Sequence, residues 1–301
     1  MANFSTEDAS FEQETSYATI LYAPHKTNKN CYFAVLLLKE NLYHQGSKKM
    51  EYIKEWRQNV PYLAFCEGDD YWIHPKKLQM QTDFLDEHKD YGMCYSNFNI
   101  HYQKSGKTAY SLFTTASKNF PMNYTLEQFI CRAGYVCPPS WVYRKELGDT
   151  YVPIKGSCDG TFVMFVHFLA TSKVYAFKEV FATYRSLEES ASHSRDITKV
   201  YDRVKNILYV QKQLALRYNL SGLEEKIEQR YYKKRLPFFL GKGFYDDVEI
   251  AKQNIKNRSR RDNILFFLYS FPLGRTIFKI VYELHLEHYR KHPVKITSHL
   301  R

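Results

Sequence analysis

The amino-acid sequence predicts an α/β protein: a mostly parallel sheet flanked by helices over residues 1–193, then an all-helical region over residues 194–301. Three observations carry that expectation. Apolar runs of strand length alternate with helical patterns as far as about His193. Beyond that point only helical periodicity remains. The charge also divides there: residues 1–194 hold 20 Lys or Arg against 21 Asp or Glu, whereas residues 195–301 hold 23 against 11, within a net charge of +11. A near-neutral first part and a basic second part imply different tasks.

The elements follow in order. "YATILYAPHKTNKN", from Tyr17, reads as a helix broken at Pro24, and "CYFAVLLLKEN", from Cys31, as a buried strand. "GSKKMEYIKEWRQNV" is helical, with Met50, Ile53 and Trp56 on one face. "YLAFCEGDD" is a short apolar run that ends in acids, and "HPKKLQMQTDFLDEH" restarts a helix with Pro75 at its first position. "YGMCYSNFNIHY" is a strand and "KSGK" a turn. "TLEQFICRA" is a helix whose Thr125 and Gln128 have capping-box spacing. "CPPSWVYRK" is a strand, "CDGTFVMFVHFLATS" an apolar helix, and "KVYAFKEVFATYR" strand again. Four helical stretches close the chain. The last is interrupted by Pro272, Arg275 and Lys279 and falls short of the roughly 20 uninterrupted apolar residues of a membrane span.

A hydrophobic content of 44% with 25% charged residues belongs to an ordinary globular protein rather than a disordered or membrane-embedded one. The start, "MANFSTEDAS", has neither a basic nor an apolar segment of a secretion signal. Six cysteines without a C-x-x-C pair therefore read as reduced thiols in a cytoplasmic protein, and the sequons at Asn123 and Asn219 carry no weight.

The chemistry concentrates in "YLAFCEGDDYW", where an apolar run delivers Glu67, Asp69 and Asp70 to one spot. Adjacent carboxylates repel, so such a cluster costs stability unless something positive joins it. Ligands of open α/β sheets bind beyond the carboxyl ends of strands. Hard oxygens gathered there suit Mn²⁺ or Mg²⁺, which would neutralise a diphosphate. An acidic turn that caps the next helix explains the same three residues equally well.

The longer stretch "AFCEGDDYWIHPKKLQMQTDFL" resembles the metal-binding segment of family 2 glycosyltransferases of GT-A fold. In that family an acid-x-acid-acid motif precedes an aromatic pair and a P-x-K-L-x-x-Q helix start. Here these are Glu67, Asp69 and Asp70, then Tyr71 and Trp72, then Pro75, Lys77, Leu78 and Gln81. The resemblance implies that Asp69 is the direct metal ligand, with Glu67 and Asp70 completing the metal and sugar contacts. "GSCDGTFVMFVHFLA" is similar to the family's G-D-x-x-L segment, which makes Asp159 the general base. A helix N-cap is the plainer reading of the same residue. "ATYRSLEESASHS" is similar to the Y-R-x-x-x-x-S-x-S segment, giving Tyr184, Arg185, Ser190 and Ser192; Leu187 stands where many members carry a histidine, whose role is either absent here or taken over by His193. Arg185 either grips a phosphate or pairs with a core carboxylate. "EDASFEQET" resembles the motif that ends the family's second strand, with Glu7 and Asp8 as its acids. The similarity thus spans residue 7 to about 193 and lacks the family's first strand–helix unit.

What this implies is inverting transfer of a sugar from a nucleotide-sugar donor to a glycan or lipid-linked acceptor, in surface-polysaccharide synthesis of a bacterial type. The acceptor site is expected near "CPPSWVYRK" and the loop before Cys158, with Trp141 either stacked on a sugar or in the core. A catalytically inactive nucleotide-sugar binder is the alternative. The basic, aromatic segments "YYKKRLPFFLGK" and "NRSRRDNILFFLYSF" suit an anionic membrane surface on the cytoplasmic side, or a bundle with a solvated basic face. Nucleic-acid binding is disfavoured, because the charge is spread over several helices and no recognition motif accompanies it.

Overall fold

The computed structural model describes residues 9–40, 52–115, 122–187, 194 and 196–291. The chain divides into two compact units, residues 1–59 and 60–301.

In the first unit β1 (Phe11–Glu14), β2 (Ala18–Pro24) and β3 (Tyr32–Leu38) form an antiparallel sheet in that order. The expected helix at Tyr17–Pro24 is therefore a strand. The polar run after it decides the matter: His25 Nδ1 accepts from the amides of Thr27 and Asn28, and Asn28 Oδ1 accepts from Asn30. A turn fixed by its own side chains folds β3 back onto β2. Strand β3 is where the sequence places it, yet Tyr32, Leu37 and Leu38 are exposed rather than buried. Helix α1 (Lys54–Arg57) is the described part of the next expected helix; Met50 lies outside the described residues.

The second unit holds a six-stranded sheet of β4 (Tyr62–Ala64), β5 (Tyr71–Trp72), β6 (Tyr91–Tyr102), β7 (Lys107–Ala109), β8 (Val142–Arg144) and β9 (Lys173–Ser186). Its order is β4-β8-β6-β9-β5, with β7 beside β6. The α/β class is as expected, but the described sheets are mixed and mainly antiparallel. Within this sheet only the long β6–β9 pair runs parallel. The reason lies in the connections. A parallel pair needs a long crossover, and the chain provides one between β6 and β9. The "KSGK" turn instead makes a hairpin of β6 and β7, with Gly106 at φ 64° supplying the left-handed corner.

The helices of this unit are α2 (Lys77–Glu87), α3 (Leu112–Thr115), α4 (Leu126–Arg132), α5 (Lys145–Asp149), α6 (Gly160–Thr171), α7 (Ile197–Arg217), α8 (Leu223–Lys242), α9 (Tyr245–Asn254), α10 (Arg260–Tyr269) and α11 (Pro272–Lys291). Thr125 and Gln128 close the expected capping box on α4. Position 193 does not divide the core. Val210, Leu214 and Ala215 of α7 and Leu223 and Ile227 of α8 pack in one apolar cluster with Met93, Phe98, Trp141 and Phe165. A second cluster holds Tyr231, Tyr232, Leu236, Phe239 and Leu240 of α8 against α9 and α10. "YYKKRLPFFLGK" is thus largely core rather than a membrane face. Buried Asp247 locks α9 to α7 through the Tyr201 hydroxyl at 2.7 Å and the Lys205 ammonium. Among the described residues no helix is long and apolar enough to cross a membrane.

Candidate functional site

Strand β4 ends at Ala64, and the chain then turns through Glu67–Asp70, closed by the Asp70 amide on the Glu67 carbonyl at 3.0 Å. It re-enters the sheet as β5, where Tyr71 pairs with Thr183 and Trp72 with Ala182 of β9. That pairing sets Arg185 beside the acids. The Arg185 amide donates to Asp70 Oδ1 at 2.8 Å, and its guanidinium Nε donates to the Asp69 carbonyl oxygen. Arg185 therefore acts on the acidic turn through its backbone and its side chain together. The carboxylate contact runs through the backbone amide, which any residue would supply, while the guanidinium meets a backbone oxygen.

The electrostatics of the turn are unusual. Asp70 is buried, and burial pushes its carboxyl up to about 6 against the relief given by the Arg185 amide. Glu67 reaches solvent at its surface, yet desolvation by the surrounding protein, then the charges of Asp70 and Asp69, raise it to about 7. A hydrogen bond between the Glu67 and Asp70 carboxyls raises Glu67 further. Burial first, and for Glu67 the neighbouring carboxylates as well, makes the charged forms of both acids costly. Hard oxygens in that state fit a divalent cation, which would displace the proton. Among the described residues no three Asp, Glu, His or Cys side chains are gathered as a metal cage. Glu67 and Asp70 are paired, and the Asp69 charge is near enough to raise Glu67, so most of a coordination shell would come from diphosphate oxygens and water.

The residues after the acids have work that sequence reading left unassigned. Lys77 and Gln81, one turn apart on α2, are both buried. Lys77 Nζ donates to the Trp141 carbonyl at 3.3 Å and lies 4.5 Å from the Trp72 ring centroid. Gln81 Nε2 donates to the Ser140 carbonyl at 2.9 Å. Both thus clamp α2 to the helical turn Pro138–Ser140 and to Trp141, which caps it. Burial pulls Lys77 down to about 8. The signal was available: two long polar side chains at i and i+4 on an otherwise apolar helix face.

Asp159 caps α6: its Oδ1 accepts from the Phe162 amide and the Thr161 hydroxyl, each at 2.9 Å. Its second oxygen faces Arg203 Nη2 of α7 at 3.4 Å. The N-cap reading holds, and one oxygen stays in contact with a cation. Arg203 was invisible in the sequence, because α7 approaches α6 only through the tertiary fold. Nearby, Ile154 and Lys155 of the loop before Cys158 line an open cleft with Tyr209, Gln213 and Arg217. Trp141 is 1% exposed and packs on Phe165 and Phe168, so it is core and cannot stack on a sugar.

The structure thus gathers Glu67, Asp69, Asp70 and Arg185, and places Asp159 on a different element with Arg203. Ser10 is hydrogen-bonded to the Tyr22 carbonyl at the edge of the first unit's sheet. Glu7, Asp8, Ser190, Ser192 and His193 lie outside the described residues.

No protein-family model matches the chain. Over 92 residues it is 32% identical to an uncharacterized protein of Mycobacterium bovis and to uncharacterized proteins of two Mycobacterium tuberculosis strains. The aligned stretch is 31% of this chain and 25% of each relative, so the chain spans about a quarter of their length.

Proposed function

We propose that the chain is a metal-dependent glycosyltransferase core of GT-A type that moves a sugar from a nucleotide-sugar donor to a hydroxyl of a glycan or lipid-linked acceptor. The observation that carries this reading is the carboxyl pair Glu67–Asp70, gathered in one turn at the end of β4 and held there by the Arg185 amide, with burial raising both acids. An acidic turn that merely capped α2 would not hold its acids near neutrality. In addition α2 takes no side-chain cap from them, since its N-cap residue is Lys76.

Asp69, Glu67 and Asp70 would hold Mn²⁺ or Mg²⁺, whose charge supports the departing nucleoside diphosphate. The chain's own residues supply the rest. The Arg185 clamp fixes the acidic turn before substrate arrives, which spares reorganisation during reaction. Asp159 accepts the acceptor's hydroxyl proton as that oxygen bonds to the anomeric carbon. The bond from that carbon to the diphosphate breaks on the opposite side, and the leaving diphosphate takes its electron pair. Arg203, 3.4 Å from the second Asp159 oxygen, orients the carboxylate between turnovers. The cytoplasmic face of a bacterial membrane is the compartment where donor and lipid-linked acceptor meet.

The test is turnover of UDP- and GDP-sugars with Mn²⁺ by the wild-type chain and by Asp69→Ala. Metal-dependent release of nucleoside diphosphate that disappears in the variant is the expected result. Equal turnover in the two proteins would remove Asp69 from the site.

A further inference from the structure

Among the described residues, helix α11 packs by one side. Phe278 joins the second apolar cluster, Tyr282 lies against Gly241, and Arg275 stacks on Tyr245 and Tyr269. The other side carries Leu273, Ile277, Ile280, Val281 and Leu284, exposed at 66, 47, 57, 55 and 61%. Their spacing puts all five within about a quarter-turn, a continuous apolar stripe in water. An exposed side of α10 adds Ile264 and Phe267, with Arg260 one turn earlier on that side and Arg261 flanking it. Phe267 touches Phe271, the residue before α11, with ring centroids 5.2 Å apart. The two exposed sides are therefore neighbours.

We propose that this α10–α11 surface docks on an anionic lipid bilayer, with the stripe sunk into the headgroup boundary and the cations on the lipid phosphates. The argument is charge complementarity. Between Lys256 and Lys279 the sequence holds six Lys or Arg against one acid, Asp262, which is buried in the capping box of α10; Lys256 is paired with Glu225 and Arg275 packs inward, and the exposed Arg260 and Arg261 lie beside the apolar side. Further along, Glu283 is paired with Lys242, while Glu287 borders the stripe. An apolar helix face beside exposed arginines, on helices that are not long and apolar enough to span, is the composition of an interfacial element. A second copy of the chain is the poorer occupant, because it would add a second set of the same exposed arginines to one interface, whereas a lipid surface supplies phosphates. The surface is also not the one composition suggests: the aromatic residues of α8 face inward, and those of α10 divide between core and solvent. This inference stands independently of the sugar-transfer reading.

The experiment is vesicle co-sedimentation of the full chain with phosphatidylcholine alone and with added phosphatidylglycerol. We compare wild type, Ile277→Glu/Ile280→Glu, Arg260→Glu/Arg261→Glu, and Val152→Glu, an exposed apolar site elsewhere. Binding should require phosphatidylglycerol and weaken with salt. It should drop at least about tenfold in both double variants, since each surface cation alone is worth about fivefold, and be unchanged in Val152→Glu. All substituted side chains are exposed, so circular dichroism should show every variant folded. Equal sedimentation of all four proteins, or no sedimentation of wild type, overturns the proposal. So does a wild-type dimer in ultracentrifugation that the stripe variant abolishes, which would assign the face to a second copy.

Discussion

Asp159→Asn is expected to lower sugar transfer by about 10²–10⁴-fold while leaving the protein folded. The residue has two jobs that the substitution separates. As N-cap it needs one acceptor oxygen toward the Phe162 amide, and asparagine supplies that oxygen as well as aspartate does. As base it needs a negative oxygen able to take a proton, and asparagine has none. Thermal unfolding should therefore move by no more than the loss of one partly exposed contact with Arg203, below about 1 kcal/mol. Asp159→Ala should lose activity and also about 0.5–2 kcal/mol of stability, because the cap goes too. Normal transfer by Asp159→Asn would leave the cap as the whole of this residue's purpose.

Asp70→Asn should make the protein more stable and less able to bind metal. The folded state raises the Asp70 carboxyl from its ordinary value to about 6. Between those values the native chain binds more protons than the unfolded chain, so its stability falls as pH rises from about 4 to 6 and stays lower above. At about 1.4 kcal/mol per unit, the cost at pH 7 reaches up to about 3 kcal/mol. Asparagine keeps an acceptor for the Arg185 amide and carries no charge. It also lifts one of the charges that raise Glu67. Urea unfolding should thus give similar stability for the two proteins at pH 4 and a gap favouring the variant at pH 7. Added Mn²⁺ should narrow or reverse that gap, because the cation stabilises the wild type alone. Parallel pH curves would show that the turn stores no electrostatic strain.

Much of this was legible from residues. Strand β6 follows its "YGMCYSNFNIHY" pattern end to end, the α4 capping box closes as its spacing requires, and α6 begins at Asp159. The break before Pro272 separates α10 from α11. The errors share a cause, which is that a short apolar run does not reveal its partner. Ala18–Pro24 fits a helix until a turn made by His25 and Asn28 returns β3 to it. Alternating strands and helices suggested parallel pairing, yet β8 lies antiparallel to both β4 and β6. Aromatic residues among cations in α8 look interfacial until Tyr231 and Phe239 are seen in the core.

The candidate site divides in the same way. The acids were conspicuous because three carboxylates in four residues need a physical reason. The residues that position them were not, because their contacts cross long stretches of chain: Arg185 to Asp70, Arg203 to Asp159, Lys77 to Trp141. Each is a polar side chain or amide directed at one oxygen, and composition cannot distinguish that from a solvated cation.

The most direct measurement is calorimetric titration of the wild-type chain with Mn²⁺ at pH 7, in the presence of UDP-glucose or GDP-mannose. Saturable binding of one cation is expected, tighter with one of the donors than without, and accompanied by proton release as Glu67 ionises. Absence of Mn²⁺ binding under either condition would contradict it.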